Sequence, residues 1–249
     1  MGNTGSIRIG IGGWVYPPWR GAFYPPGLRQ SEELSFASRH VTAIEINGTF
    51  YRIQTPASFQ KWRDETPDDF MFSLKAPRFL THRNDLASAA PYMARFLDSG
   101  LLDLKQKLGP ILWQFAPSKQ FDEADFSAFL DLLPRERDGA SLRHVVEARH
   151  RSFQCPEFIG LLRRHSIAVA MVDDANHPAF EDLTADFVYL RLRRCAEDEP
   201  TGYPPDALDG WAERLHAWAA EGRDCFLYFI NGAKIRAPAA AQALIARLG

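Results

Sequence analysis

Thr42-Ala43-Ile44-Glu45-Ile46-Asn47, running on into Gly48-Thr49-Phe50-Tyr51-Arg52, decides how the rest of the chain is read. In an extended strand, successive side chains alternate between two faces. Ile44 and Ile46 share one face, and Ala43, Glu45 and Asn47 share the other. The aliphatic face suits packing against helices. The other face carries a carboxylate and an amide, so it has to look into water or into a binding space. These polar positions crowd the C-terminal end of the strand, just ahead of the aromatic pair Phe50-Tyr51.

The same design recurs along the chain. Further strands are expected at 7–12, 71–75, 108–115, 144–149, 167–173, 186–193 and 224–231. Helical character falls between them, at 31–39, 58–64, 91–102, 122–133, 155–165, 206–221 and 238–248. The interval 175–185 has no helical period, so the sixth helix is short or missing. Eight alternating strand–helix cycles argue for parallel strands joined by crossovers. In a chain of 249 residues they favour a single-domain α/β protein, a (β/α)8 TIM-type barrel over residues 7–249 behind a flexible tail at 1–6, with an open doubly wound sheet as runner-up.

Composition narrows the function classes. The hydrophobic fraction of 46% is that of a chain with a full core, and the net charge of -2 gives no global basic field for salt-driven nucleic-acid binding. A local basic pocket stays open. Cys155, Cys195 and Cys225 are widely spaced and odd in number, which points to a reducing compartment and a cytoplasmic location. No apolar run has membrane-spanning length. Met1-Gly2-Asn3-Thr4-Gly5-Ser6 fits the short N-myristoylation pattern, against the plainer reading of a flexible tail. Gly10-x-Gly12 lacks the spacing and the following helix of a dinucleotide fingerprint.

Chemistry collects at the strand ends. Glu45 and Asn47, Lys75, Gln114, Glu147 and Arg149, Asp173, Arg191 and Asn231 all stand at or just past the C-terminal ends of their strands. Packing alone does not need ionisable groups there, whereas barrels build their sites at that face. Glu45 and Glu147 are candidates for an acid/base pair, with Lys75 assisting or forming a Schiff base. Arg149 and Arg191, with Arg193 nearby, suit a phosphate or carboxylate, and His82 and His150 can donate to the same group. A divalent ion on Glu147, His150 and Asp173 is a further reading, although no metal-motif spacing is present. Trp14, Tyr16 and Trp19, in a loop rich in glycine and proline, and Tyr51 are candidate contacts at the rim. Trp14, Tyr16 and Trp19 also have the plainer role of anchoring their loop.

Three functions follow as expectations. The first is an enzyme working by acid/base chemistry of isomerase or hydrolase type on a small anionic, phosphate-bearing substrate. The second is a nucleic-acid-binding or endonuclease-like barrel with aromatic stacking at the rim. The third is a non-catalytic metabolite-binding barrel.

Several stretches also resemble one family. They are Gly13-Trp14-x-Tyr16-x-x-Trp19-x-Gly21-x-Phe23-Tyr24-Pro25, Glu45-Ile46-Asn47-x-Thr49-Phe50-Tyr51, Phe72-x-Leu74-Lys75-Ala76-Pro77 with Thr81-His82, Leu108 to Phe115, Val146-Glu147-x-Arg149-His150, and Phe187 to Leu192. In this order they resemble the YecE-like family, the proteins with domain of unknown function seventy-two. The resemblance implies a TIM-type barrel, likened by fold to sugar isomerases and repair endonucleases, and implies no particular reaction. The chain departs from the family pattern at Arg193-Arg194, at Ile230-Asn231 and at Ala116-Pro117-Ser118.

Overall fold

The computed structural model describes residues 4–249. Gly2, on which the N-myristoylation pattern rests, lies outside the described residues. Eight strands form one closed parallel barrel: β1 (Ile7–Gly12), β2 (Ala43–Ile46), β3 (Met71–Lys75), β4 (Leu108–Gln114), β5 (His144–Glu147), β6 (Ala168–Asp173), β7 (Phe187–Leu192) and β8 (Asp224–Phe229). Each strand pairs with its neighbours in sequence, and β8 closes on β1 with Ile9 beside Leu227. A separate two-residue ladder joins Glu136–Arg137 to Ala140–Ser141.

The alternation read in β2 sets its register. Ile44 and Ile46 are buried in the outer core between barrel and helices, whereas Ala43 belongs to the inner cluster with Leu112, Val145, Tyr189 and Tyr228. Burying an isoleucine contributes about 1.5–3 kcal/mol. A slip of one residue would drive Glu45 into the apolar outer layer, so the register is firmly held. Below the site the interior is solid. Ser73 Oγ and Tyr228 OH share a hydrogen bond of 2.7 Å, and Phe187 and Phe226 fill the lower level.

The crossovers follow the sequence with local shifts. Helices run Glu33–Ala37, Pro56–Asp64, Ala90–Leu97, Glu123–Leu130, Pro156–His165, Pro205–Ala220 and Ala237–Leu248. Thr55 and Asp122 cap two of them through Ser58 N–H and Asp125 N–H. The helix expected to reach Leu102 stops at Leu97. Gly100 there takes φ +97°, and a Cβ on it would come within 2.6 Å of Pro56. Between β6 and β7 the chain crosses without a helix, as the missing period predicts. Thr184 fastens this crossover, its Oγ1 accepting from Val169 N–H at 2.8 Å and donating to Ile167 O at 2.7 Å. Part of the tail is also tied down: Gly5 N–H donates to Ala219 O, and Ser6 N–H and Oγ both donate to Asp224 Oδ1.

Candidate functional site

The C-terminal ends of the strands surround a cavity of about 480 Å³. Five lysine and arginine side chains line it, Lys75, Arg149, Arg191, Arg193 and Lys234, and among the described residues no carboxylate does. Asn47, Phe50, Tyr51, His82, Gln114 and Asn231 complete the wall, with Gly12 and Ile230. A Cβ on Gly12 would sit 3.2 Å from both Asn47 Nδ2 and Ile230 Cδ1, so this glycine keeps room in the cavity.

Arg191 sits at the centre of the wall. It is 1% exposed and bridges two buried carboxylates from strands far apart in sequence. Its Nε and Nη2 donate to Glu45 Oε2 and Oε1 at 2.9 Å each, and its Nη1 donates to Glu147 Oε2. Tyr189 OH donates to Glu45 Oε2 at 2.8 Å. Gln114 Nε2 and Arg149 Nε donate to Glu147 Oε1 at 2.9 and 2.7 Å. Every oxygen of both glutamates is therefore engaged. Burial alone would push Glu147 up, but Arg191 and Arg149 hold its carboxyl well below the usual carboxylate range. Burial likewise opposes the Arg191 charge, and Glu147 and Glu45 more than restore it.

Lys75 differs from these groups. It is buried, and among the described residues its Nζ has no hydrogen bond and no ion pair. The ring of Phe50 lies 3.9 Å from it. Thr49, next to Phe50 in the chain, shares its hydroxyl proton between Ile46 O at 2.9 Å and Lys75 O at 2.7 Å, tying the end of β2 to the end of β3. Burial, aided by the Arg191 charge and opposed by Glu45 and Glu147, lowers the Lys75 amine from 10.5 to about 8. His82 stands at the mouth, and partial burial with the charges of Lys75 and Arg149 lowers its imidazole.

The remaining cations differ in how far protein groups occupy them. Arg149 spends only its Nε on Glu147, and its terminal nitrogens have no hydrogen bond among the described residues. Arg193 pairs with Asp174 at 2.6 Å. With the Asn231 amide in the orientation that satisfies both its atoms, Asn231 accepts from Arg193 Nη2 at 2.9 Å. Lys234 Nζ lies 4.8 Å from the Tyr16 ring centre.

The structure brings together most of the residues expected at the site, with some corrections. Asn47, Lys75, His82, Gln114, Arg149, Arg191, Asn231 and Tyr51 line the cavity, while Glu45 and Glu147 stand behind Arg191. Trp19 is fully buried and donates from Nε1 to Lys234 O at 2.9 Å, so it anchors its loop. Trp14 leaves the inward face because Gly13 turns the chain with φ +74°, and it packs edge-on against Trp62. Tyr16 lies against Trp19 outside the cavity lining.

Asp173 also lies outside the lining. Ala168, Ala170 and Val172 face inward on β6, so Asp173 turns outward to Tyr203 OH and Arg194. His150 is one residue out of step with Glu147 and Arg149, and it caps the turn Arg151–Phe153 through Ser152 N–H. Glu147, His150 and Asp173 therefore do not converge. Among the described residues, no group of three His, Cys, Asp or Glu is placed to hold a metal ion. Lys234 was not foreseen, since it lies beyond β8 in its loop. The sole hint was its place after the last strand, where barrels often bind phosphate.

A closed parallel barrel with a cationic cavity at the C-terminal ends of its strands places this chain among the TIM-type α/β barrels. A family model described as "Protein of unknown function DUF72" matches residues 8–249. The chain belongs to the DUF72 family. It is similar to the UPF0759 protein YecE of Escherichia coli (strain K12), with 31% identity over 150 residues, 59% of this chain and 50% of the relative. The chain spans about half the length of the curated relatives it matches. Over nearly its whole length its fold is similar to two crystal structures of DUF72 proteins. For the one from Thermotoga maritima MSB8 the TM-score is 0.69, with 24% identity and 96% and 97% of the two chains covered. For the one from Enterococcus faecalis V583 it is 0.74, with 18% identity and 98% and 99% covered. In fold alone the barrel is also similar to 3-keto-D-glucoside 4-epimerase from E. coli (TM-score 0.56, 11% identity, 98% and 99% covered) and to SacUVDE (0.54, 11%, 99% and 99%). No helix among the described residues is long and apolar enough to cross a membrane.

Proposed function

We propose that the cavity binds a small anionic metabolite and that the protein is an enzyme in which Lys75 moves protons on the bound substrate. The observation that carries this reading is a cavity wall with five lysine and arginine side chains and, among the described residues, no carboxylate. Its volume of about 480 Å³ suits a molecule of metabolite size. Arg149, Arg193 and Lys234 would hold the phosphate or carboxylate. Lys75, lowered to about 8, would exchange protons near neutral pH, with His82 at the mouth as its partner. Glu45 and Glu147, expected from the sequence to transfer protons, take a supporting role here. Arg191 and Arg149 keep the Glu147 carboxylate ionised, and the two glutamates together hold Arg191 in place.

A thermal-shift screen tests this reading, with phosphorylated sugars, small carboxylates, nucleotides and short single-stranded oligonucleotides. A ligand at about a hundred times its dissociation constant adds about 2.7 kcal/mol of stability, roughly 5–10 °C for a chain of this size. Small anions are expected to raise the melting temperature, and Arg149→Ala to remove the effect. No shift with any small anion would overturn the anion site. Tyr51, 72% exposed beside the cavity, supports a second reading in which a nucleic-acid strand lies across the mouth. A salt-sensitive shift with oligonucleotides alone would favour it. A ligand that binds and is never converted would point to a metabolite-binding barrel.

A further inference from the structure

We propose that Lys75 is a covalent handle, its amine condensing with the carbonyl of a small anionic aldehyde or ketone, of the keto-acid or phosphorylated-sugar class, to form an imine inside the cavity. The inference rests on the reading of the cavity as an anion site and names the second functional group its substrate would carry.

Two buried lysines make the contrast. Lys107 is a structural lysine: its Nζ donates to Arg63 O at 2.6 Å, to Thr66 O at 2.8 Å and to Thr66 Oγ1 at 3.3 Å, capping the end of the helix Pro56–Asp64. Lys75 Nζ has no such partner among the described residues, although Glu45 on the adjacent strand β2 and Glu147 on β5, two strands away, are near enough to act on its charge. Both are occupied by Arg191, and Glu147 also by Arg149 and Gln114. The fold has thus withdrawn the carboxylates that would pin Lys75 as a spectator ammonium. It leaves the amine on the cavity wall under the Phe50 ring, at 3.9 Å.

The surroundings suit the condensation. The Lys75 lone pair forms the C–N bond, the carbonyl π pair moves to oxygen, and that oxygen takes a proton. The nitrogen gives up one proton as the carbinolamine forms. A second proton reaches the hydroxyl, the C–O bond breaks to release water as the nitrogen lone pair closes the C=N bond, and the nitrogen loses its second proton. Amine plus carbonyl thus becomes imine plus water with no oxidant or reductant. His82, on the same cavity wall, is the imidazole placed to carry the proton. The terminal nitrogens of Arg149 would hold the anionic end while the carbonyl meets Lys75. A protonated imine carries the same charge as the ammonium it replaces, so the Phe50 ring still faces a cation. A fall from 10.5 to about 8 leaves about a hundred times more neutral amine at pH 8 than an ordinary lysine has.

The test is reductive trapping on the full chain at pH 8. Pyruvate, glyoxylate or glyceraldehyde 3-phosphate is added with cyanoborohydride, and the product is read by intact mass and peptide mapping. The expected result is one saturable adduct on Lys75, formed at least about ten-fold faster than on exposed lysines such as Lys61. It should be absent from Lys75→Arg and slowed by lactate or phosphate in the unmutated chain. That competition keeps the test valid if the variant fails to fold. Labelling of Lys234 in place of Lys75, or of all lysines alike, would overturn the proposal. Melting shifts with lactate or phosphate but no Lys75 adduct would overturn the imine and keep the anion site. Neither a shift nor an adduct would overturn both.

Discussion

Arg191 meets Glu45 through two parallel hydrogen bonds, Nε to Oε2 and Nη2 to Oε1, each 2.9 Å long. The fork joins β7 to β2 across the barrel, and the third nitrogen of the same guanidinium engages Glu147 on β5. Lysine offers a point charge in place of a planar fork. Arg191→Lys leaves one of the two buried glutamates poorly paired and should cost about 3–5 kcal/mol, read as a lower urea midpoint. A variant with unchanged midpoint would show that the bridge is not a keystone of the barrel.

Lys75 should titrate like no surface lysine. Its reaction with an amine-acylating reagent should rise through a midpoint near pH 8, where burial has placed its amine. Peptide mapping across a pH series measures this directly. A midpoint near 10.5 would mean that water reaches Nζ freely.

His144 makes stability depend on pH from outside the site. Trp113 Nε1 donates to its Nδ1 at 3.0 Å, and its Nε2 donates to Pro134 O at 2.8 Å, so the buried ring is neutral. Burial lowers it from 6.5 to about 4. Between those values the unfolded chain binds the extra proton and the folded chain does not. Stability from this group is therefore full above about pH 6.5 and lost as pH falls toward 4, by on the order of 3 kcal/mol. His144→Gln keeps an acceptor for Trp113 and should flatten that slope in urea titrations run at several pH values. A slope as steep as in the unmutated protein would assign it to other groups.

Gly10 and Gly12 should answer alanine differently. A Cβ on Gly10 would lie 2.2 Å from the Ala43 carbonyl oxygen, which is backbone and cannot yield. Gly10→Ala should cost about 1–3 kcal/mol or more. At Gly12 the nearest atoms are side-chain ends at 3.2 Å. Gly12→Ala should fold nearly normally and bind its anion more weakly, visible as a smaller ligand-induced melting shift. Equal thermal penalties at both positions would contradict this.

The barrel and most of its pocket were legible because they rest on local alternation. Glu45 and Arg191 could be placed at strand ends from their own neighbours. That they form one bridge could not, since 146 residues separate them and only barrel closure brings them together. Asp173 misled because strand β6 ends on an outward position, and parity along β6 depends on where pairing begins. Trp19 and Tyr51 look alike in sequence, both aromatic and both in loops. The fold buries one completely and leaves the other at the mouth. Lys234 escaped because its loop, and not a strand, carries it into the cavity.

The plug beneath the site, with Ser73 bonded to Tyr228 over Phe187 and Phe226, makes the cavity a cul-de-sac. A ligand bound there would enter and leave by the open side of the cavity, where Tyr51 is exposed. Arrival and departure then compete for one doorway, so a slow-leaving molecule blocks its own successor. A bulky compound lodged at the rim would halt traffic in both directions without touching Lys75.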